Sequence, residues 1–225
     1  MFDTLILLTG PVEQTPLGAR LQSYRPELEI RPVGTAEDLA GFDVGSLHRA
    51  RLIGFVTPVI VPPKILNALG YGAYNFHPGP PDYPGWAPAH FATYDQATEF
   101  GVTVHEMAER VDSGAIVAVA SFPVSVEIGV TSLESLAYAR LLQLFWQLAP
   151  ALATQAMPLP RLPMQWGSRR TSRQAYREIC DIPVDIAPDE LRRRVRAFGN
   201  NDFGIAPSIR LHGIEFRAVM AEPAD

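Results

Sequence analysis

One cysteine, Cys180, stands in the whole chain of 225 residues. An internal disulfide is therefore excluded, as is a thiolate cluster for zinc, and the expected setting is cytoplasmic. Lysine is as scarce, with Lys64 the single example. No run of about 18 apolar residues free of charge occurs, so no membrane-crossing helix is expected. Met1-Phe2-Asp3 leads straight into the short apolar run 4–9, which reads as a first buried strand rather than as a signal peptide. Positive charge is thin where most of the chain lies. Residues 1–160 carry 8 basic and 15 acidic groups, against 11 and 9 in residues 161–225, for a formal net charge of −5. Nucleic-acid phosphates must be neutralised by Lys and Arg, so this balance disfavours such a partner. Arg169-Arg170 and Arg192-Arg193-Arg194 are the basic runs, and each reads equally well as a solvated face.

What the chain does have is an alternation of short apolar runs with helical patterns, the signature of a layered α/β domain. Strands are expected at 4–9, 28–33, 52–56, 73–76, 102–107 and 116–124, with helical segments near 17–24, 62–69 and 87–96. Pro62 and Pro63 suit a helix start, where a missing N–H costs nothing. The strongest helix is expected over 132–149, capped by Thr131 and ended or kinked by Pro150. Leu133, Leu136, Ala137, Leu141, Leu144, Phe145 and Leu148 recur there at three- and four-residue steps. Prolines 158, 160 and 163 then read as a domain exit. The expected organisation is a catalytic domain over 1–155, a linker over 156–187 and a small appendage over 188–225. That appendage would hold a helix at 188–198 and a hairpin, 208–211 with 214–220, turning at His212-Gly213.

Two segments carry candidate chemistry. In Ala73-Tyr74-Asn75-Phe76-His77-Pro78-Gly79, alternation along a strand puts Asn75 and His77 on one face, at a strand end where catalytic groups of α/β sheets gather. By itself Asn-x-His is also the mark of an ordinary hydrogen-bonded surface pair. In the second segment a strand, Gly101 to Met107, is followed by Asp112-Ser113-Gly114, which alone is an ordinary turn.

Taken together, Asn75-Phe76-His77-Pro78, Tyr83-Pro84-Gly85, Gly101-Val102-Thr103 and Asp112-Ser113-Gly114 resemble, in order and spacing, the signature of the formyltransferase catalytic-domain family. That family spans methionyl-tRNA, amino-sugar and glycinamide ribonucleotide formyltransferases. The resemblance is strong over about residues 50–150 and loose before that. It implies a Rossmann-like fold with a twisted mixed sheet and helices on both faces, 10-formyltetrahydrofolate as formyl donor, and a small-molecule amine as acceptor. Formylation of methionyl-tRNA, hydrolysis of the donor and a non-catalytic folate-binding role are the alternatives. By the same resemblance Asn75, His77 and Asp112 are the catalytic trio, while main-chain groups around Val59, Ile60, Val61, Arg110 and Val111 would read the pterin ring. No metal is implied. Some relatives pair through C-terminal segments, so a homodimer is in keeping. The chain departs from the family pattern in three places: Gly79-Pro80-Pro81-Asp82 replaces Ser-Leu-Leu-Pro in a loop one residue shorter, Pro84 replaces an arginine, and the loop before the pterin strand is slightly longer.

Among the remaining candidates, His105 reads as structural on its strand, and His90 as a candidate for the acceptor side. Trp86 and Trp166 could border a pocket or simply pack. Cys180 reads as inert, and His48 and His212 have no context that marks them.

Overall fold

The computed structural model describes residues 2–219. Its centre is a six-stranded sheet of β1 (Thr4–Leu8), β2 (Glu29–Val33), β3 (Ala50–Phe55), β4 (Ala73–His77), β5 (Glu99–Glu106) and β6 (Ile116–Pro123), in the order β2-β1-β3-β4-β5-β6. Strands β1 to β4 pair in parallel, while β5 runs antiparallel to both β4 and β6. Alternation along β1 feeds two cores. Leu5 and Leu7 enter one with Leu17, Leu21, Leu141 and Phe145, and Ile6 and Leu8 enter the other with Leu39, Leu47 and Ile65. Helices therefore cover both faces. Pro32 is tolerated in β2 because that strand lies at the sheet edge.

Helix boundaries differ from the sequence expectation in instructive ways. Helix α1 (Pro11–Gln22) starts earlier, with Pro11 at its first position. Helix α2 (Ala36–Ala40) is too short to show a period; it is held by a capping box in which Thr35 Oγ1 accepts from Asp38 N at 3.1 Å and Asp38 Oδ2 accepts from Thr35 N at 2.9 Å. A 3₁₀ turn follows at Val44–Arg49, then α3 (Pro63–Leu66) and α4 (Pro88–Tyr94).

Helix α5 (Val130–Thr154) is capped by Gly129 rather than Thr131, and it runs past Pro150 without ending there. Its far end is held by Arg51, a fully buried arginine of β3 that donates to Leu152 O at 2.7 Å and to Tyr71 O at 3.0 Å. The guanidinium also lies 4.6 Å over the Phe2 ring. A cation at a helix C-terminus meets carbonyls left without intrahelical partners. Burial lowers the Arg51 pKa from its ordinary value. Replacing Arg51 with alanine should cost about 2–4 kcal/mol, from cavity formation and unpaired carbonyls. A thermal or urea melt checks this, and an unchanged midpoint would refute the anchoring role.

The stretch 156–187 holds more than the proline-marked exit suggests. Leu159 N donates to Tyr74 Oη at 3.0 Å and Leu162 N to Ile116 O at 2.7 Å. Helix α6 (Arg173–Cys180) buries Tyr176 and Cys180, and β7 (Asp181–Ile182) follows. Burial pushes the Cys180 thiol up to about 12. Helix α7 (Pro188–Phe198) forms as expected, and Ala197 and Phe198 pack with Tyr176 and Cys180 on Phe91 of α4. Strands β8 (Ser208–Leu211) and β9 (Ile214–Arg217) form the hairpin, with both turn residues, His212 and Gly213, at positive φ as a two-residue turn requires. Met220, the expected end of that second strand, lies outside the described residues. Among the described residues no helix is long and apolar enough to cross a membrane.

Candidate active site

The four sequence motifs meet at one end of β4. His77 Nδ1 lies 3.4 Å from Asp112 Oδ2, and its Nε2 lies 3.2 Å from the carbonyl of Tyr83. Gly85 N donates to Asp112 Oδ2 at 2.8 Å. Thr103 Oγ1 donates to Gly79 O at 2.8 Å, fixing the loop that follows His77. Gly79 itself cannot carry a side chain: a Cβ there would stand 2.6 Å from both His77 Nε2 and Pro88 Cβ. Asn75 sits directly across the β4–β5 pair from His105, and its Nδ2 lies 3.2 Å from His105 Nε2. The same His105 nitrogen lies 3.1 Å from Asp112 Oδ1. His77, His105 and Asp112 are all buried.

Electrostatics follow from this geometry. Burial alone would raise the Asp112 carboxyl, but the His77 and His105 rings and the Gly85 N–H carry it below the usual carboxylate range. For His77 burial is the largest influence and disfavours the cation; the nearby carboxylate favours it, and the net pKa is lowered. Both contacts of His77 are acceptors. A neutral ring can donate to only one of them, and protonation satisfies both. A neutral ring here therefore has a ready place for one more proton. Among the described residues no group of three His, Cys, Asp or Glu side chains is set to hold a metal ion.

These residues open on a cavity of about 540 Å³, lined by Asn75, His77, His105 and Asp112 among others. Val56, Val59, Ile60, Val61, Met107 and Val111 add an apolar lining. Three non-glycine residues at positive φ line it as well: Val56 at 46°, Ala87 at 55° and Asp112 at 44°. Strained backbone of this kind costs on the order of 1–3 kcal/mol per residue and collects at functional sites. At Val56 the branched Cβ makes the conformation especially unfavourable. An adjoining cavity of about 450 Å³ is lined by Arg110, Gly114, Met164, Trp166 and Arg170. Arg170 lines both.

Residues 53–140 match the sequence profile of the formyl transferase family. The methionyl-tRNA formyltransferase of Listeria innocua is 32% identical over 123 residues, 54% of this chain and 38% of that protein. The chain thus spans well under half of that relative. A sugar N-formyltransferase from Shewanella sp superposes with a TM-score of 0.80 at 16% identity, covering 99% of both chains. An N-formyltransferase from Helicobacter canadensis, solved with folinic acid and dTDP-3-aminofucose, gives 0.68 at 14% identity over 95% of this chain and 85% of that one. The fold is therefore the Rossmann-like formyltransferase fold.

The sequence-marked residues fall as follows. Asn75, His77 and Asp112 converge. Val59, Ile60, Val61 and Val111 line the larger cavity, whereas Arg110 lines the adjoining one. His90 does not reach either: it is buried against α6 and α7, with Nδ1 2.7 Å from Ala197 O and 3.2 Å from Tyr176 Oη. Trp86 lines the larger cavity. His105 is no bystander on its strand. The signal that could have found it was alternation, which puts it on the face of Thr103, already marked by the family motif. The segment after α5 also reaches the site. Trp166 sets its ring edge-on to His105 at 4.9 Å and to His77 at 5.9 Å, and its Nε1 donates to Gly114 O. Thr171 pairs with the Pro84–Trp86 backbone through hydrogen bonds of 2.9 and 3.0 Å. No local pattern announces that return, because it is made by main-chain groups.

Proposed function

We propose that the protein transfers a formyl group from 10-formyltetrahydrofolate to the amine of a small acceptor, an amino-sugar nucleotide or an amino-acid derivative. The convergence of Asn75, His77 and Asp112 on one cavity that Val56, Val59, Ile60, Val61 and Met107 also line carries this reading. The flat pterin suits that apolar lining, Val59 to Val61, with main-chain groups near Val111 reading its polar edge. Asn75 is placed to donate an amide N–H to the oxyanion that develops when the acceptor nitrogen adds to the formyl carbon. The new C–N bond forms as the bond to the folate nitrogen breaks. His77 takes the proton lost by the amine and Asp112 holds the resulting imidazolium, from which the proton returns to the departing folate nitrogen.

A small anionic acceptor is supported by Arg170, which lines both cavities, and Arg110, which lines the adjoining one; neither is paired with a carboxylate among the described residues. Formylation of a charged tRNA is the second reading, favoured by the Listeria relative. The balance of 8 basic to 15 acidic groups in residues 1–160 weighs against gripping so large a polyanion. A cytoplasmic location and action as a homodimer complete the proposal.

Folate absorbance should change on incubation with 10-formyltetrahydrofolate only when a suitable amine is supplied, with dTDP-linked amino sugars, amino-acid derivatives and methionyl-tRNA as separate arms. Turnover with tRNA alone would promote the second reading, and turnover without any amine would make the protein a hydrolase. The donor should also raise the melting temperature, by about 2.7 kcal/mol of stabilisation at a hundredfold excess over Kd. A shift without turnover in any arm would identify a folate-binding protein instead.

A further inference from the structure

We propose that His105 is a positioning residue of this site, orienting in turn the Asp112 carboxylate and the Asn75 amide through a single ring nitrogen. The proposal rests on the formyl-transfer reading for its kinetic consequence, though not for its geometry. His105 Nδ1 lies 2.7 Å from Glu106 O. A carbonyl only accepts, so Nδ1 carries a hydrogen. That leaves Nε2 to serve two neighbours of opposite character: Asp112 Oδ1, an acceptor at 3.1 Å, and Asn75 Nδ2, a donor at 3.2 Å.

The two contacts exclude each other as hydrogen bonds. With a hydrogen on Nε2 the ring donates to Asp112 and leaves the Asn75 amide both its N–H groups for the cavity. Without one, Nε2 accepts from Asn75, which anchors the amide, and Asp112 Oδ1 loses a donor. The groups facing the ring are Asp112, with His77 across the carboxylate, Asn75 from β4, and the edge of Trp166. Among the described residues it makes no ion pair other than that with Asp112. A merely structural histidine on β5 would be satisfied by the Glu106 carbonyl alone. This one is only 2% exposed, yet it lines the cavity. His105 therefore links the oxyanion donor to the carboxylate that steadies His77, two groups otherwise held on separate elements.

The test compares His105→Leu, which can neither donate nor accept, with His105→Gln, whose amide can do both. Leu should lower kcat by on the order of 10- to 100-fold, the usual cost of losing a group that orients reacting residues. Its KM for donor and acceptor should stay within about threefold, because both ring nitrogens of His105 are engaged by Glu106 O, Asp112 and Asn75 rather than offered to a ligand. Gln should recover most of the loss. A kcat for Leu within about threefold of wild type, or equal losses in both variants, would overturn the proposal. A second readout needs no turnover: ¹⁵N NMR of the histidine rings should show Nδ1 protonated in His105 and an Nε2 resonance that moves in both Asp112→Asn and Asn75→Ala. An Nε2 signal indifferent to both substitutions would overturn the proposal whether or not the protein proves to be a formyltransferase. Wild-type inactivity with a responsive Nε2 would instead sink the functional reading and leave the positioning network standing.

Discussion

Replacing His77 with alanine is expected to lower kcat on the order of a hundredfold or more, the range lost with a positioned acid–base group. The fold should survive, since among the described residues the His77 ring makes two polar contacts, both to acceptors. Asp112→Ala should fall in the same range, and the double variant should lose little beyond the worse of the two, because both residues serve one proton-transfer unit. Additive losses would separate their roles. The pH dependence has a determined sign. Burial holds the His77 pKa below its ordinary value, so the neutral base persists below about pH 6.5. The acid limb of kcat/KM should therefore have its midpoint under that of a free histidine. Stability moves the same way: the unfolded chain takes up the proton first, so the stability contributed by His77 is present above about pH 6.5 and is lost as pH falls through the folded value. Asp112, lowered as well, adds a further loss through the carboxylate range. A wild-type melting temperature that falls between about pH 6.5 and 5 no more steeply than that of His77→Ala would contradict the burial argument.

The sheet was legible because its strands are apolar on two faces or alternate cleanly, as in Leu5-Ile6-Leu7-Leu8. Asn75 and His77 were legible for a related reason: period-2 spacing and a following proline placed both at the same strand end. Short elements were not. Helix α2 has five residues and depends on a cap rather than on a period. Pro150 misled because a helix can run through a proline when its later turns are buried and its carbonyls have a partner, here Arg51, about a hundred residues earlier in sequence. His105 was visible as a residue but not as a participant, since its importance comes from the register that sets it opposite Asn75. Hardest to read was the segment around Thr171. Its prolines and arginines look like an exposed tether, and its attachment to the site is through main-chain hydrogen bonds that leave no side-chain signature.

That attachment can be tested at Gly85. Its φ is +111°, a conformation L side chains rarely adopt, and a Cβ there would stand 2.1 Å from Thr171 O. Alanine at this position must either rotate the backbone or push the 171 segment away. Rotation would withdraw the N–H that Asp112 accepts at 2.8 Å. Displacement would move Arg170, Thr171 and Ser172, which line the larger cavity. Gly85→Ala should therefore destabilise the protein by about 1–3 kcal/mol, a fall in melting temperature of roughly 2–4 °C per kcal/mol for a chain of this size. It should also lower kcat/KM by on the order of tenfold or more, the order of loss incurred when a reacting group's orienting contact is removed. Thr171→Val is the control, because it removes only the hydroxyl bond to Pro84 O and keeps the main-chain pairing. It should leave kcat/KM within about threefold of wild type, since no group that meets the reacting atoms is altered. If Gly85→Ala lost stability but kept wild-type kcat and KM, the returning segment would be a brace for the fold alone, with no part in shaping the cavity or holding Asp112.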